Sequence, residues 1–417
     1  MAIIISDFKP APCEECGMNA AHHGILRFSA RFDSVARATL RPLDGIMETV
    51  VPISDRLIDK IAPFVASLFT ATGLAVKITA PDARSSETAQ ALWEEAKRRE
   101  IEMYEIRILG LPRRHFIARS GDTTIAFEGI PRLARRQKSI AWIDNKAEMK
   151  RRFGKAGFPV AMGGQARNEK EALGIFNSLS KPVIVKPEEG SGGRHTTVKI
   201  ETEEGLRAAY RNARVISPAV VVEEELSGPV YRATLVGGKL RAVLRRDPPR
   251  VVGNGRLTVR ELAEKENENP LREGPVFAKI DIDSPAARRE LARQKIAPEN
   301  IPKRGQVVYF HFKVNWGVGG TSWDATPETH PDNRKLFENI GKFLGEDVAG
   351  IDFMIPDISK SWRRENRCGV IECNSLPLIG NHHFPYTGPI RNVAGAIWDM
   401  VFPKKQKALE QTSVLHL

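Results

Sequence analysis

The apolar run Val183-Ile184-Val185 delivers one lysine, Lys186, to its end, and after Pro187 the chain passes through Glu188 and Glu189 into Gly190, Ser191, Gly192 and Gly193. Glycines in such a turn let backbone N–H groups come close to phosphate oxygens, with the lysine charge beside them. The run is not a P-loop, because no Gly-Lys-Ser/Thr follows the glycines, and it is not a convincing dinucleotide fingerprint. Taken alone it fits a phosphate-binding turn and an ordinary loop equally well.

A second constellation is Asp352, Glu372 and Asn374, each near the end of a predicted strand. Side chains two apart on a strand share a face, so Glu372 and Asn374 can converge with Asp352 from a neighbouring strand on a hard cation. Oxygen ligands of this kind suit Mg2+ carried by substrate phosphates. The bland alternative is acids at a solvent-facing strand end. A third signal is Val220 to Leu226, where an apolar strand runs into Glu223, Glu224 and Glu225. It reads as a solvated exit or as a nucleotide hinge.

The elements that must carry these residues change in texture along the chain. In residues 1–140 the alternation suggests an α/β unit with a small parallel sheet: a helix capped by Ser54, a strand over Leu74 to Ala80, a helix begun at Ser85, and a strand over Met103 to Leu109. His115 to Phe127, broken by Ser120, Gly121 and Asp122, predicts a hairpin. From Asp144 helices are expected over Lys146 to Ala156 and Glu169 to Leu179. Strands are then expected over Val220–Glu223, Tyr231–Val236, Lys239–Leu244, Val307–Val314, Gly350–Ile355 and Gly369–Cys373, with a helix over Asp332–Leu344. The last residues, from Lys404, read as a frayed tail.

Bulk properties narrow the class. A chain of 417 residues with 41% hydrophobic and 27% charged residues exceeds what one core usually spans, about 250–300 residues, so two or three subdomains are expected. No apolar run approaches the roughly 20 residues that cross a bilayer. Met1 to Ile5 reads as a strand and not as a signal peptide, which points to the cytoplasm. The net charge of +12 suits an acidic partner, but the basic clusters are dispersed and the standard nucleic-acid modules are absent. Cys13-Glu14-Glu15-Cys16 with His22 and His23 has the spacing of half a zinc site or a redox pair, but without a second well-spaced pair it reads first as an inert loop.

From Asn145 to Pro403 the chain resembles the ATP-grasp domain, most closely the branch found in cyanophycin synthetases and bifunctional glutathione synthetases. The carriers are Arg245-Arg246-Asp247-Pro248-Pro249, Val252-Gly253-Asn254-Gly255 with Thr258 and Leu262, Asn267 to Arg272, Asn315 with Gly319-Gly320-Thr321 and Asp324, and Ile371-Glu372-Cys373-Asn374 leading to Pro377 and His382. The resemblance implies an α+β fold in which two subdomains clamp ATP: a lid over 141–222 and a catalytic half over 223–403. Residues 1–140 would lead it and 404–417 would form a tail. It also implies a carboxylate–amine ligase working through an acyl phosphate.

By the family pattern Lys146 and Lys186 contact ATP phosphates, the loop Gly190, Ser191, Gly192, Gly193 closes over them, and Glu223, Glu224 and Leu226 form the adenine hinge. Asp352, Glu372 and Asn374 hold Mg2+, or Mn2+, and Arg232 and Arg246 act on phosphate or substrate carboxylate. Asn315, Gly320, Thr321 and His382 lie toward the substrate. Val230 replaces an acid that relatives place near the ribose, and Gly350 replaces an arginine found in some of them. Without a Mur-ligase-like domain, and at this length, the chain is expected to be neither a full cyanophycin synthetase nor a bifunctional glutathione enzyme.

The partners implied are small-molecule or peptide carboxylates and amines, with no nucleic acid and no membrane, and a homo-oligomer is compatible. A ligase for protein or peptide tails would differ by an open channel beside Asn315 to Thr321. A silent nucleotide-binding scaffold is opposed by Lys186, Asp352, Glu372 and Asn374 occurring together.

Overall fold

The computed structural model describes residues 68–108, 115–133, 141–188, 193–274 and 276–403, together with residues 13, 23–25, 27 and 28. The expected strand at Met1 to Ile5, the Ser54 helix, Cys16, His22, the glycines Gly190 and Gly192 with Ser191, and the tail from Lys404 lie outside them. No helix among the described residues is long and apolar enough to cross a membrane.

The first unit consists of β1 (Ala75–Ile78), α1 (Glu87–Arg98), β2 (Glu102–Ile108), β3 (His115–Ser120) and β4 (Thr123–Glu128). Ser86 caps α1 by accepting from the Ala89 N–H at 3.3 Å, and Ala89, Leu92, Trp93 and Ala96 form its buried face. The predicted hairpin is β3 and β4. The predicted parallel sheet is not found among the described residues: the four strands pair in the order β1-β2-β3-β4, every neighbour antiparallel. Alternation of strand and helix imposes parallel pairing only when the helix carries the chain back across the sheet. Here β2 returns directly beside β1 in the opposite sense.

The second unit comprises α2 (Lys146–Lys155), β5 (Gly163–Ala166), α3 (Glu169–Ser178), β6 (Val183–Pro187), β7 (Thr197–Ile200), α4 (Glu203–Ala213) and β8 (Val220–Glu224). Its sheet has the order β5-β8-β6-β7. Asn168 and Thr202 cap α3 and α4 through their side chains. The apolar faces so presented, Phe176 and Leu206 among them, pack on Val183, Val185 and Val222. Strand β8 crosses position 222, where the sequence places the division between lid and catalytic half. The connection out of this sheet is therefore residues 225–229.

The third unit is built on β9 (Val230–Val236), β10 (Lys239–Asp247), β11 (Arg250–Val252), α5 (Val259–Asn267), α6 (Pro285–Arg293), β12 (Val307–Tyr309), β13 (Thr321–Asp324), α7 (Pro331–Leu344), β14 (Val348–Met354), β15 (Gly369–Asn374), α8 (Gly380–His383) and α9 (Val393–Val401). The main sheet runs β13-β10-β9-β14-β15. Helix α7 covers one face, burying Leu336, Phe337, Ile340 and Leu344 beside Leu235, Ile351 and Phe353, each worth about 1.5–3 kcal/mol when fully buried.

The strand predicted over Val307–Val314 stops at Tyr309. Its partner β11 is preceded by Pro248 and Pro249, which have no N–H to continue the ladder, so the last contact is Phe310 N–H to Pro249 O at 2.9 Å. Helix α9 ties the first unit to the third, with Trp398 fully buried and its Nε1 donating to Leu92 O at 3.1 Å.

Candidate active site

A cavity of about 390 Å3 opens between the second and third units, lined from the first of these by Lys146, Lys186 and Gly193, and from the main sheet by Arg232, Arg246, Asp352, Glu372 and Asn374. Asn315 also reaches it. Strand register explains the sheet side. Asp352 on β14 stands opposite Arg232 on β9 and opposite Glu372 on β15. Between the pairs Asp352–Glu372 and Phe353–Val370, β15 carries one extra residue, Ile371. This bulge lets the successive residues Ile371 and Glu372 both line the cavity.

Arg232 grips Asp352 in a fork, Nε donating to Oδ1 at 2.5 Å and Nη2 to Oδ2 at 2.8 Å, while Arg246 Nη1 lies 3.5 Å from Oδ2. Arg232 and Asp352 are buried and Arg246 is half-buried. Burial would raise the Asp352 carboxyl, but the two guanidiniums hold it below the usual carboxylate range. Burial, with Arg232 close by, lowers Arg246 against the pull of Asp352. The Gly350 departure now has a physical reason. A Cβ there would come within 2.7 Å of Pro377 Cβ and 3.2 Å of Arg232 Nη1, so the space for a side chain at 350 is filled by the guanidinium arriving from β9.

On the other side, Lys146 is the first residue of α2, whose cap Asn145 accepts from the Glu148 N–H at 2.9 Å and donates to Glu188 Oε1 at 2.9 Å. Lys186 Nζ lies 2.9 Å from Glu223 Oε2, and Lys150, one turn along α2 from Lys146, pairs with Oε1 of the same carboxylate. Burial pushes the Lys150 ammonium down to about 7, the neighbouring Lys186 adding to it and Glu223 opposing. Burial alone would raise Glu223; Lys150 and Lys186 bring it to about 2.

Glu223 is 2% exposed and its carboxylate is the counter-ion of two lysines. Glu224 accepts from the Ser180 N–H at 3.0 Å, and neither it nor Leu226 lines the cavity. His382 is off the lining too: it is 1% exposed, with Nε2 at 2.7 Å from Oγ1 of Thr234, which shares a face of β9 with Arg232, and burial lowers the ring to about 3. Gly320 and Thr321 are likewise off the lining. Gly320 donates its N–H to Asn315 O at 3.0 Å, and Thr321 pairs with Asp247.

Arg194, Phe312 and Lys313 are among the cavity residues that escaped the sequence reading. The Lys313 side chain lies against Gly193, whose Cβ would meet its Cε at 3.4 Å. A strand that ends early is what turns Phe312 and Lys313 inward, and no composition signal marks that.

The lining asks for both a cation and an anion. Arg246 Nε and Asn374 Nδ2 are buried donors without a hydrogen-bond partner among the described residues, and Glu372 carries no ion pair or hydrogen bond there. Orphaned donors suit phosphate oxygens, and an unmatched carboxylate beside a second carboxylate suits a divalent metal. The Asn374 amide, turned over, presents its oxygen to the same space. The residues therefore fit a metal–phosphate group.

No family model matches the chain. It is 35% identical over 268 residues to the cyanophycin synthetase of Nostoc sp. (strain PCC 7120), an alignment covering 63% of this chain and 29% of that protein. To the bifunctional glutathione biosynthesis protein of Mannheimia succiniciproducens it is 30% identical over 280 residues, 63% of this chain and 36% of the other. The chain thus spans about a third of the length of the curated relatives it matches. The crystal structure of a bifunctional glutathione synthetase from Pasteurella multocida superposes with a TM-score of 0.56 at 28% identity, covering 76% of this chain and 43% of that one.

Proposed function

We propose, from its membership of the ATP-grasp superfamily, that this chain is an ATP-dependent carboxylate–amine ligase, forming an amide or peptide bond and releasing ADP and phosphate. The observation that carries the reading is the cavity itself: Lys146, Lys186 and Arg194 of the second unit face Arg232, Arg246, Asp352, Glu372 and Asn374 of the main sheet. The sheet β5–β8 is the lid and residues 225–229 its hinge. The acid is an amino acid, a short peptide or a small polycarboxylate.

A carboxylate does not acylate an amine at neutral pH because its leaving group is too poor. In the proposed reaction a carboxylate oxygen attacks the γ-phosphorus and ADP leaves; the amine then attacks the acyl carbon, phosphate leaves, and the amine gives up a proton. Lys146 and Lys186 hold phosphate from the lid side, while Arg246, with its unmatched Nε, and Arg232 stabilise the charge that moves onto the transferred group. Asp352 fixes both guanidiniums and takes up their charge when the cavity is empty. Asp352, Glu372 and Asn374 would hold Mg2+, which when bound neutralises phosphate charge. Gly193 and Arg194, at the lid turn, exclude water from the acyl phosphate.

The test is ADP and phosphate release from Mg-ATP over a matrix of amino acids, dipeptides and polycarboxylates, with mass spectrometry of products. Release that needs both an acid and an amine, with a product lighter by one water than their sum, is the expected result. ADP formed with a phosphorylated acid as the stable product, or tight ATP binding with no turnover against any pair, overturns the ligase reading.

A further inference from the structure

We propose that Cys13, His23 and His195 form a second metal site, specific for an ion of the zinc type and separate from the cavity cations. One sulfur and two imidazole nitrogens lie within 4.8 Å of one another. Cys13 Sγ is 3.9 Å from His195 Nε2. A tetrahedral zinc with its usual bond lengths holds a sulfur and a nitrogen about 3.6 Å apart, so the pair is already near ligand spacing. That distance is long for a thiol hydrogen bond, and such a bond gives no reason for a third donor to join.

The histidine from the lid is prepared for this. His195 is 2% exposed and sits in the turn into β7 with φ +52°, a left-handed conformation uncommon outside glycine. Its Nδ1 is 2.9 Å from Asn212 Oδ1 on α4, and the Asn212 amide nitrogen reaches Thr197 Oγ1 at 3.4 Å. The second contact orients the amide so that its oxygen faces the ring. An amide oxygen only accepts, so Nδ1 carries the hydrogen and the Nε2 lone pair is left facing the sulfur. A partner on the far nitrogen is the usual support of a metal-ligating histidine. The His23 ring meets the His195 ring edge-on, at 82° with centroids 5.0 Å apart, so the two do not stack.

The donor set separates this site from the cavity. Thiolate with imidazole selects zinc-type ions, whereas the oxygens of Asp352, Glu372 and Asn374 select hard cations. Cys13 and His23 come from the amino-terminal region, and His195 lies two residues past Gly193, on the turn whose Gly193, Arg194 and Thr196 line the cavity. A metal here therefore staples the amino-terminal region to the lid turn and positions Arg194. The inference does not depend on the ligase reading.

The experiment uses the full chain stripped with chelator and titrated with Co2+ in the absence of nucleotide. One equivalent is expected to bind with a near-ultraviolet thiolate-to-cobalt charge-transfer band, and one equivalent of Zn2+ should abolish the band. Cys13→Ser should remove it and Cys368→Ser should leave it intact. Asn212→Leu, a positioning change, should weaken cobalt affinity by about 10–100-fold while the band survives at saturation. Should Cys13→Ser fail to fold, zinc-saturated wild type should resist iodoacetamide at Cys13 when apo protein does not, read by peptide mass spectrometry. A wild type without the band, a band that survives Cys13→Ser, or equal alkylation with and without zinc overturns the site.

Discussion

Each of the two sheets that face the cavity buries one carboxylate between two cations. In the main sheet Asp352 lies between Arg232 and Arg246, and in the lid Glu223 lies between Lys150 and Lys186. Both acids are held below their ordinary range by those neighbours. The difference is in the cations. A guanidinium keeps its charge at any accessible pH and grips in a rigid fork, whereas a desolvated ammonium is a point charge that can give up its proton. The sheet thus presents a fixed field, and the lid presents one that depends on pH.

Removing the shared acid of the main sheet gives the largest expected effect. Asp352→Ala takes the ion-pair partner from the buried Arg232 and the half-buried Arg246, and breaking a buried pair from one side costs about 3–5 kcal/mol. A denaturant titration measures it, and a loss below about 1 kcal/mol would mean that water already solvates the arginines. Glu372→Gln sharpens the comparison, because Glu372 makes no ion pair or hydrogen bond among the described residues and acts on Arg232 and Arg246 only through its charge. Its unfolding midpoint should match wild type while turnover falls by about 10²–10³-fold, as for loss of one electrostatic contact in a reaction centre. Wild-type turnover in that variant sinks the metal assignment.

Gly350→Ala is a milder probe of the same fixed field. The new methyl meets Pro377 and the Arg232 guanidinium, and overpacking of this kind costs about 1–3 kcal/mol. The shifted fork should lower turnover along with stability. Loss of stability with normal turnover would show that Arg232 need not be held where it is.

These contacts divide by how far they could be read from sequence. Strand period two placed Glu372 and Asn374 on one face, and the apolar runs marked β6, β9, β14 and β15. The bulge at Ile371 and the Arg232–Asp352 register are tertiary facts with no local signature. Helix α5 was missed although Thr258 and Glu261 form a capping box, a signal present in the sequence but passed over. The antiparallel first sheet was misread because alternation of elements does not encode strand direction. Lys150 was missed for another reason: its i, i+4 spacing from Lys146 puts both on one helix face, but only packing shows that this face meets β8 at Glu223.

Lys150 also supplies the smallest and most discriminating test. Unfolded, its ammonium titrates near the ordinary 10.5, and folded it titrates near 7 because burial disfavours the charge. Between those values the unfolded chain binds a proton that the native chain does not, so this group makes stability rise with pH, by at most about 1.4 kcal/mol per unit. Lys150→Met keeps the apolar stem and removes the titration. Urea midpoints at pH 7.5 and 8.5 should then show wild type gaining about 1 kcal/mol on the variant as pH rises, following the same linkage. A difference that stays flat means that Lys150 remains charged against Glu223 throughout, as Arg232 does against Asp352. The lid would then present a field as fixed as that of the sheet.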